Sequence, residues 1–237
     1  MQLSAPVFKL KRQAKLFSRD KKIALHKALD QLAHMEGFQS WSHLASESEK
    51  SRPAKTILSK LDPGDMLLLG ARPGHGKTLL GLEIAAMAND FGRTGLFFTL
   101  EYTEQQVLDR ISALGIDRNT MGDAIILDTS DEICADYVIS RASKTDGDVI
   151  IVIDYLQSLD QKRANSSLAD QIPALRAYAK AERSIVVVIS QIDRSFDLNR
   201  NAFPNRSDIR MPNPFDLNLF DKTCFLHDGK IRLETVA

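Results

Sequence analysis

Eight consecutive residues, Ala71-Arg72-Pro73-Gly74-His75-Gly76-Lys77-Thr78, combine two glycines, an amine and a hydroxyl. That set suits the wrapping of a polyphosphate. Backbone N–H groups can close around phosphate oxygens only where side chains are small. Lys77 would reach the β- and γ-phosphates, and the Thr78 hydroxyl would face Mg²⁺. The usual first glycine of such a P-loop is Ala71 here, which is tolerable where φ stays negative. The binding stretch runs from Ala71 to Leu79, because the start of the next helix adds unpaired N–H groups and a positive dipole end. Three further polar residues close apolar runs: Glu101, Asp154 and Gln191. Glu101 suits the base or orienter of an attacking water, and it equally suits a helix-start charge beside Thr103. Asp154 would support Mg²⁺, directly or through water. The neutral amide of Gln191 suits the sensing of a γ-phosphate or of water.

A mostly parallel sheet is needed to position these groups. Met66–Gly70, Leu96–Leu100, Ala124–Leu127, Val149–Asp154 and Ser184–Ser190 are apolar runs of strand length. Such runs fit strands buried on both faces of an α/β sheet. Glu101 is expected beside the P-loop strand. The nucleotide is expected across the carboxyl ends of the first, second and fourth strands, where open α/β sheets place their ligands. Helices are expected over Leu79–Ala88, over Thr103–Leu114 with Thr103 as cap, and over Asp131–Ala142. A further helix, Leu168–Ala181, is expected to break or kink at Pro173. Arg194–Pro214 reads as a long polar loop, and Phe220–His227 with Lys230–Val236 as a closing hairpin around Asp228-Gly229.

The first part of the chain is different. Helical stripes (Val7, Leu10, Ala14, Leu16-Phe17, then Ile23, Leu25, Leu29, Leu32, Met35) predict a small helical hairpin, with Phe38, Trp41 and Leu44 packing back on it. Lys9, Lys11, Arg12, Lys15, Arg19, Lys21, Lys22 and Lys27 make its start basic. That face is either simply solvated or a contact for nucleic acid or a partner. The division expected is a helical segment over 1–48, a polar linker over 49–56 and the main domain over 57–237. The whole chain carries 31 basic and 31 acidic side chains, which argues against a protein that coats nucleic acid by bulk charge. Cys134 and Cys224 lack metal-type spacing and read as buried free thiols in a reducing compartment. No apolar run approaches the roughly 18 residues of a membrane span. A cytoplasmic protein without membrane contact is expected.

Gly70–Thr78, Phe98-Thr99-Leu100-Glu101, Ile153-Asp154-Tyr155-Leu156-Gln157, Ser190-Gln191-Ile192-Asp193-Arg194-Ser195 and Ser207-Asp208-Ile209-Arg210 resemble, in order and spacing, the RecA-like ATPase core of DnaB-like replicative helicases and their KaiC-like relatives. The resemblance covers about residues 57 to 229. It implies a RecA-like P-loop NTPase fold, ATP and Mg as cofactors, and a homo-oligomeric ring or filament. It implies Glu101 as catalytic carboxylate, with Lys77 and Gln191 serving the γ-phosphate. It places a loop that contacts single-stranded DNA at Arg194, Arg200, Arg206 and Arg210, which otherwise read as ordinary loop charges. A short helical piece stands where the family has its N-terminal collar. The family's trans-acting Lys-x-Arg pair has only Lys230-Ile231-Arg232 to match it, earlier than the family pattern. The resemblance therefore implies a stand-alone helicase-type ATPase, with a KaiC-like scaffold ATPase as the alternative.

Overall fold

The computed structural model describes residues 4–5, 7–50, 52–114, 125–162, 165–193, 195–196, 203–211, 213–227 and 230–236. Its centre is a seven-stranded sheet. The strands are β1 (Met66–Ala71), β2 (Thr94–Thr99), β3 (Ile125–Asp128), β4 (Val149–Asp154), β5 (Ile185–Gln191), β6 (Lys222–His227) and β7 (Lys230–Thr235). Their spatial order is β3-β2-β4-β5-β1-β6-β7. All pairs are parallel except β6–β7, the antiparallel closing hairpin. The turn expected at Asp228-Gly229 lies outside the described residues.

Alternation along each strand builds two apolar layers. Leu67, Leu69, Phe97, Ile150, Val152, Val187 and Ile189 face α4 (Pro53–Leu58), α5 (Lys77–Ala86) and α6 (Glu104–Ala113). Met66, Leu68, Leu96, Phe98, Ile151, Ile153, Val186 and Val188 face α7 (Ala135–Ala142) and α8 (Leu168–Glu182). Both faces are covered, which is why these strands read as continuous apolar runs rather than alternating ones.

The structure corrects four expectations. First, β2 is not beside the P-loop strand; β4 and β5 lie between β2 and β1. Second, α7 begins at Ala135 rather than Asp131. Side-chain turns use the preceding amides, with Ser130 N donating to Asp128 Oδ1 and Glu132 N to Ser130 Oγ, so the helix cannot start there. Third, α8 runs unbroken through Pro173. The one missing backbone bond is offset by the burial of Leu168, Ile172, Leu175 and Ala179 on the sheet. Fourth, the 194–214 stretch, a loop among its described residues as expected, is not polar throughout. Phe196 and Ile209 are buried, and Ile192 bridges Ile209.

The first fifty residues form three helices, α1 (Val7–Lys21), α2 (Leu25–Met35) and α3 (Trp41–Lys50), where a hairpin was expected. Their own small core is Leu10, Ala33 and Leu44, with Val7, Leu32, Phe38 and Trp41 packed on it. Three residues of the expected stripes are exposed instead: Leu16, Leu25 and Met35. Helix occupies most of the 49–56 stretch, through Lys50 and again from Pro53. Cys224 is buried as a free thiol, with burial pushing it up to about 12, whereas Cys134 is free but only half-buried.

One close approach locks α5 against β2. A Cβ added at Gly95 would lie 2.0 Å from the Ala85 carbonyl oxygen. That oxygen is backbone and cannot swing away. Gly95→Ala is expected to destabilise the domain by about 3 kcal/mol or more, lowering Tm by about 6–12 °C for a chain of this size. Thermal unfolding followed by circular dichroism checks this, and an unchanged Tm would show that α5 can shift off β2.

Candidate active site

The site forms where β1, β2, β4 and β5 end. β1 carries the chain to Ala71, which is paired on one side with Gln191 of β5 and on the other with Leu226 of β6. Ala71 is therefore extended strand, and a Cβ is tolerated where the P-loop pattern has glycine. Beyond it, Gly74 and Gly76 take φ of 82° and 85°, the left-handed region that favours glycine. The turn delivers Lys77 and Thr78 as the first residues of α5, both buried. His75 at the loop tip stacks on His227 at the end of β6, with ring centroids 5.1 Å apart. Leu79 is exposed and, with Pro53, His75, Gly76, Leu80, Glu83, Leu114 and Leu226, lines an apolar groove of about 190 Å³.

Glu101 reaches this loop in spite of the distance between β2 and β1 in the sheet. Its Oε2 lies 3.7 Å from Lys77 Nζ. The chain leaves β2 at Thr99, whose hydroxyl accepts from Glu101 N. It then turns into α6, where Thr103 and Gln106 form a reciprocal capping box. The cap is thus satisfied without Glu101, whose carboxylate is left facing the lysine.

Asp154 ends β4 with 1% of its surface exposed, and neither carboxylate oxygen has a hydrogen-bond partner. Burial raises its carboxyl to about 6, against the pull of the Lys77 ammonium and the Thr78 hydroxyl. A buried carboxylate without partners is costly unless a cation completes it. Among the described residues no group of three or more His, Cys, Asp or Glu could hold a metal alone. Buried Asp154 beside Thr78 fits Mg²⁺, which takes one or two protein oxygens and completes its shell with water and phosphate. The Tyr155 ring lies 5.4 Å from Lys77 Nζ and narrows the choice of positions for that amine.

Gln191 closes β5 and is half-buried. It lines a cleft of about 370 Å³ with Pro73, Ile192, Asp193 and Arg210. Its backbone is tied to the following loop, because Arg210 N donates to Gln191 O at 2.8 Å. A third amide joins the two. Buried Gln157 donates from Nε2 to Ser190 Oγ (2.9 Å) and to the Arg210 carbonyl (2.6 Å). Gln191 N approaches Gln157 Oε1 at 3.5 Å. Sequence reasoning gave Gln157 no role. Its signal was an amide set among Leu156 and Leu159, where a polar group needs buried partners.

Of the four loop arginines, two are described. Arg194 and Arg200 lie outside the described residues. Arg206 donates to Asn218 Oδ1 at 2.8 Å, while Arg210 is exposed at the cleft beside Pro73. Of the Lys-x-Arg pair, Lys230 is exposed but Arg232 is held within its own subunit. Its Nη2 donates to the Pro204 carbonyl at 2.7 Å, its Nε lies 3.0 Å from Glu234, and its guanidinium sits over Phe203 and Phe225.

Sheet order, glycine turn, buried metal-type carboxylate and strand-end amide define a RecA-like P-loop domain. The chain belongs to the family of the DnaB-like helicase C terminal domain, whose model matches residues 55–121 and 116–214. It is 28% identical over 188 residues to the replicative DNA helicase DnaB of Buchnera aphidicola subsp. Schizaphis graminum, which covers 64% of this chain and 40% of that protein. It is 24% identical over 206 residues to the replicative DNA helicase DnaB of Mycoplasma genitalium, covering 72% of this chain and 44% of that protein. The chain thus spans less than half the length of these curated relatives. Among solved structures, an isolated ATPase domain aligns with a TM-score of 0.58 and 22% identity, over 78% of this chain and 80% of that one. A DnaB-like replicative helicase studied for its interactions with primase aligns with a TM-score of 0.59 and 19% identity, over 97% of this chain and 69% of that one. These structural likenesses concern the fold.

Proposed function

We propose that this domain hydrolyses ATP with Mg²⁺ and couples hydrolysis to binding of single-stranded DNA. The observation that carries the reading is the Lys77–Glu101 pair beside a buried Asp154 that faces Lys77 and Thr78. The N–H groups of Gly74 and Gly76, with those at the start of α5, hold the phosphates. Lys77 neutralises the terminal phosphates. Thr78 and Asp154 hold Mg²⁺, which when bound screens charge on the leaving group. Glu101 orients or deprotonates the attacking water. Gln191 senses the γ-phosphate, and through its backbone bond to Arg210 it passes that state to the 194–210 loop, whose arginines meet DNA phosphates.

By family likeness the working form is a homo-oligomeric ring or filament, acting in the cytoplasm. No described helix is long and apolar enough to cross a membrane. The alternative, a KaiC-like scaffold ATPase, is less favoured because the relatives matched are DnaB helicases. Phosphate release measured with and without single-stranded DNA at low salt tests the reading. Stimulation by DNA is expected. Release without stimulation would favour the scaffold, and absence of release would sink the ATPase assignment.

A further inference from the structure

The helical unit at the start of the chain has no part in the ATP site, yet its charge is distinctive. Residues 1–50 carry nine Lys and Arg against five Asp and Glu, whereas the remaining residues carry 22 against 26. A chain of zero net charge is thus divided into a basic helical unit and an acidic body. The excess is concentrated on α1. Lys11, Lys15 and Arg19 recur every four residues, with Arg12 alongside, and all four side chains are exposed. At 3.6 residues per turn they share one face of the helix.

Nothing described in the protein neutralises that face. Among the described residues, none of the four makes an ion pair or a side-chain hydrogen bond. Three carboxylates of the unit are engaged elsewhere. Asp30 accepts from Trp41 N, Glu36 from Ser4, and Asp20 lies 3.7 Å from Lys21. By contrast, the body pairs many of its cations, as in Arg93–Asp148, Arg141–Asp128, Arg176–Asp221 and Lys222–Asp65. Each of those pairs has a member at or beside a strand or helix end, where it holds the fold. The α1 stripe holds nothing. From residue 11 to residue 19 it extends about 12 Å, the axial length over which one strand of a duplex presents three to four phosphates.

We propose that this face of α1 is a docking surface for the phosphate backbone of a nucleic acid, independent of base sequence. The surface is poorly suited to a lipid headgroup layer. A helix that lies in a membrane interface needs a continuous apolar face to sink, and among the described side chains of α1 Leu16 is the one large apolar group exposed. Amid the cations, Leu16 is placed to lie against sugars or bases. The unit would hold the strand near the ATPase body, whose own charge is acidic. This inference goes beyond the ATPase reading and does not depend on it, since α1 shares no residue with the phosphate site.

The test uses the full chain and a variant with Lys11→Gln, Arg12→Gln, Lys15→Gln and Arg19→Gln. Glutamine keeps the helix propensity of these positions. Binding of labelled single-stranded and duplex oligonucleotides, without ATP, is titrated across a salt series. The variant is expected to bind at least about ten-fold more weakly at low salt, and its slope of log K against log salt is expected to fall by about 3. A control with Lys55→Gln, Lys60→Gln, Lys144→Gln and Lys162→Gln removes the same charge from the body and is expected to keep the parent slope. Equal slopes for parent and quadruple variant would overturn the proposal. So would equal losses in both variants, or parent binding to anionic vesicles or polyglutamate as tight as to the oligonucleotides. Repeating the titration with Lys77→Ala separates this result from the ATPase reading, because binding through α1 persists when hydrolysis is lost.

Discussion

Glu101→Gln is expected to lower kcat for ATP hydrolysis by about 10²–10⁴-fold, the range typical of a lost general base, while nucleotide affinity stays close to the parent value. The substitution keeps the size of the side chain and removes only its charge and basicity. Glu101 faces Lys77 from the far side of β4 and β5. Removing its charge frees Lys77 from a competing anion, so binding of the triphosphate should hold or tighten slightly. Fluorescent-nucleotide titration and single-turnover hydrolysis report the two quantities separately. Hydrolysis at the parent rate would return Glu101 to the plainer role of a charge at the start of α6. That role is already less supported, because the Thr103–Gln106 box satisfies the cap.

Lys77→Ala should affect both quantities. The amine is nearly buried, and its neighbours are two carboxylates and the Tyr155 ring. It is the one cation among the groups set around Asp154 that belongs to the P-loop. A charged hydrogen bond to phosphate contributes about 1.5–3 kcal/mol, so affinity for ATP should fall by roughly 10- to 150-fold. Loss of a preorganised electrostatic donor lowers kcat by about 10²–10³-fold more. Asp154 would also lose its main favourable neighbour. Its carboxyl would move further above the ordinary range, and the carboxylate form that would hold Mg²⁺ would become scarcer at neutral pH. Unchanged affinity in the Lys77→Ala protein would show that the phosphates sit elsewhere.

Much of this site was legible in the sequence because local chemistry decides it. Glycines with positive φ, a lysine and threonine at a helix start, and an aspartate closing a β-branched run are one-dimensional signals. The neighbours of each strand were not legible in the same way. Strand order depends on which crossovers pack on which face, and no residue near Glu101 records that β4 and β5 will come between β2 and β1. The start of α7 was misplaced because Asp128 and Ser130 take the amides that a helix would need, a competition between side chain and backbone that periodicity cannot weigh. Pro173 does not break α8 for the opposite reason: packing of α8 on the sheet outweighs one absent bond. Gln157 was passed over because its partners lie 33 and 53 residues away in sequence. The exposed Leu16, Leu25 and Met35 show that a helical stripe can follow the right period and still face solvent.

Arg232 would tie any assembly that uses it to the state of a loop. Its guanidinium is already committed to the Pro204 carbonyl, to Glu234 and to the rings of Phe203 and Phe225. For any neighbouring copy that draws on this arginine, the contact forms only as Phe203 and Pro204 are released. Free energies of this kind are reciprocal. Whatever loosens the 203–210 segment would then strengthen such a contact by the same factor, and whatever forms the contact would loosen the segment. Because Arg210 lies in that segment and is bonded to Gln191, the subunit boundary and the γ-phosphate end of the site would share one equilibrium, with Arg232 as its latch.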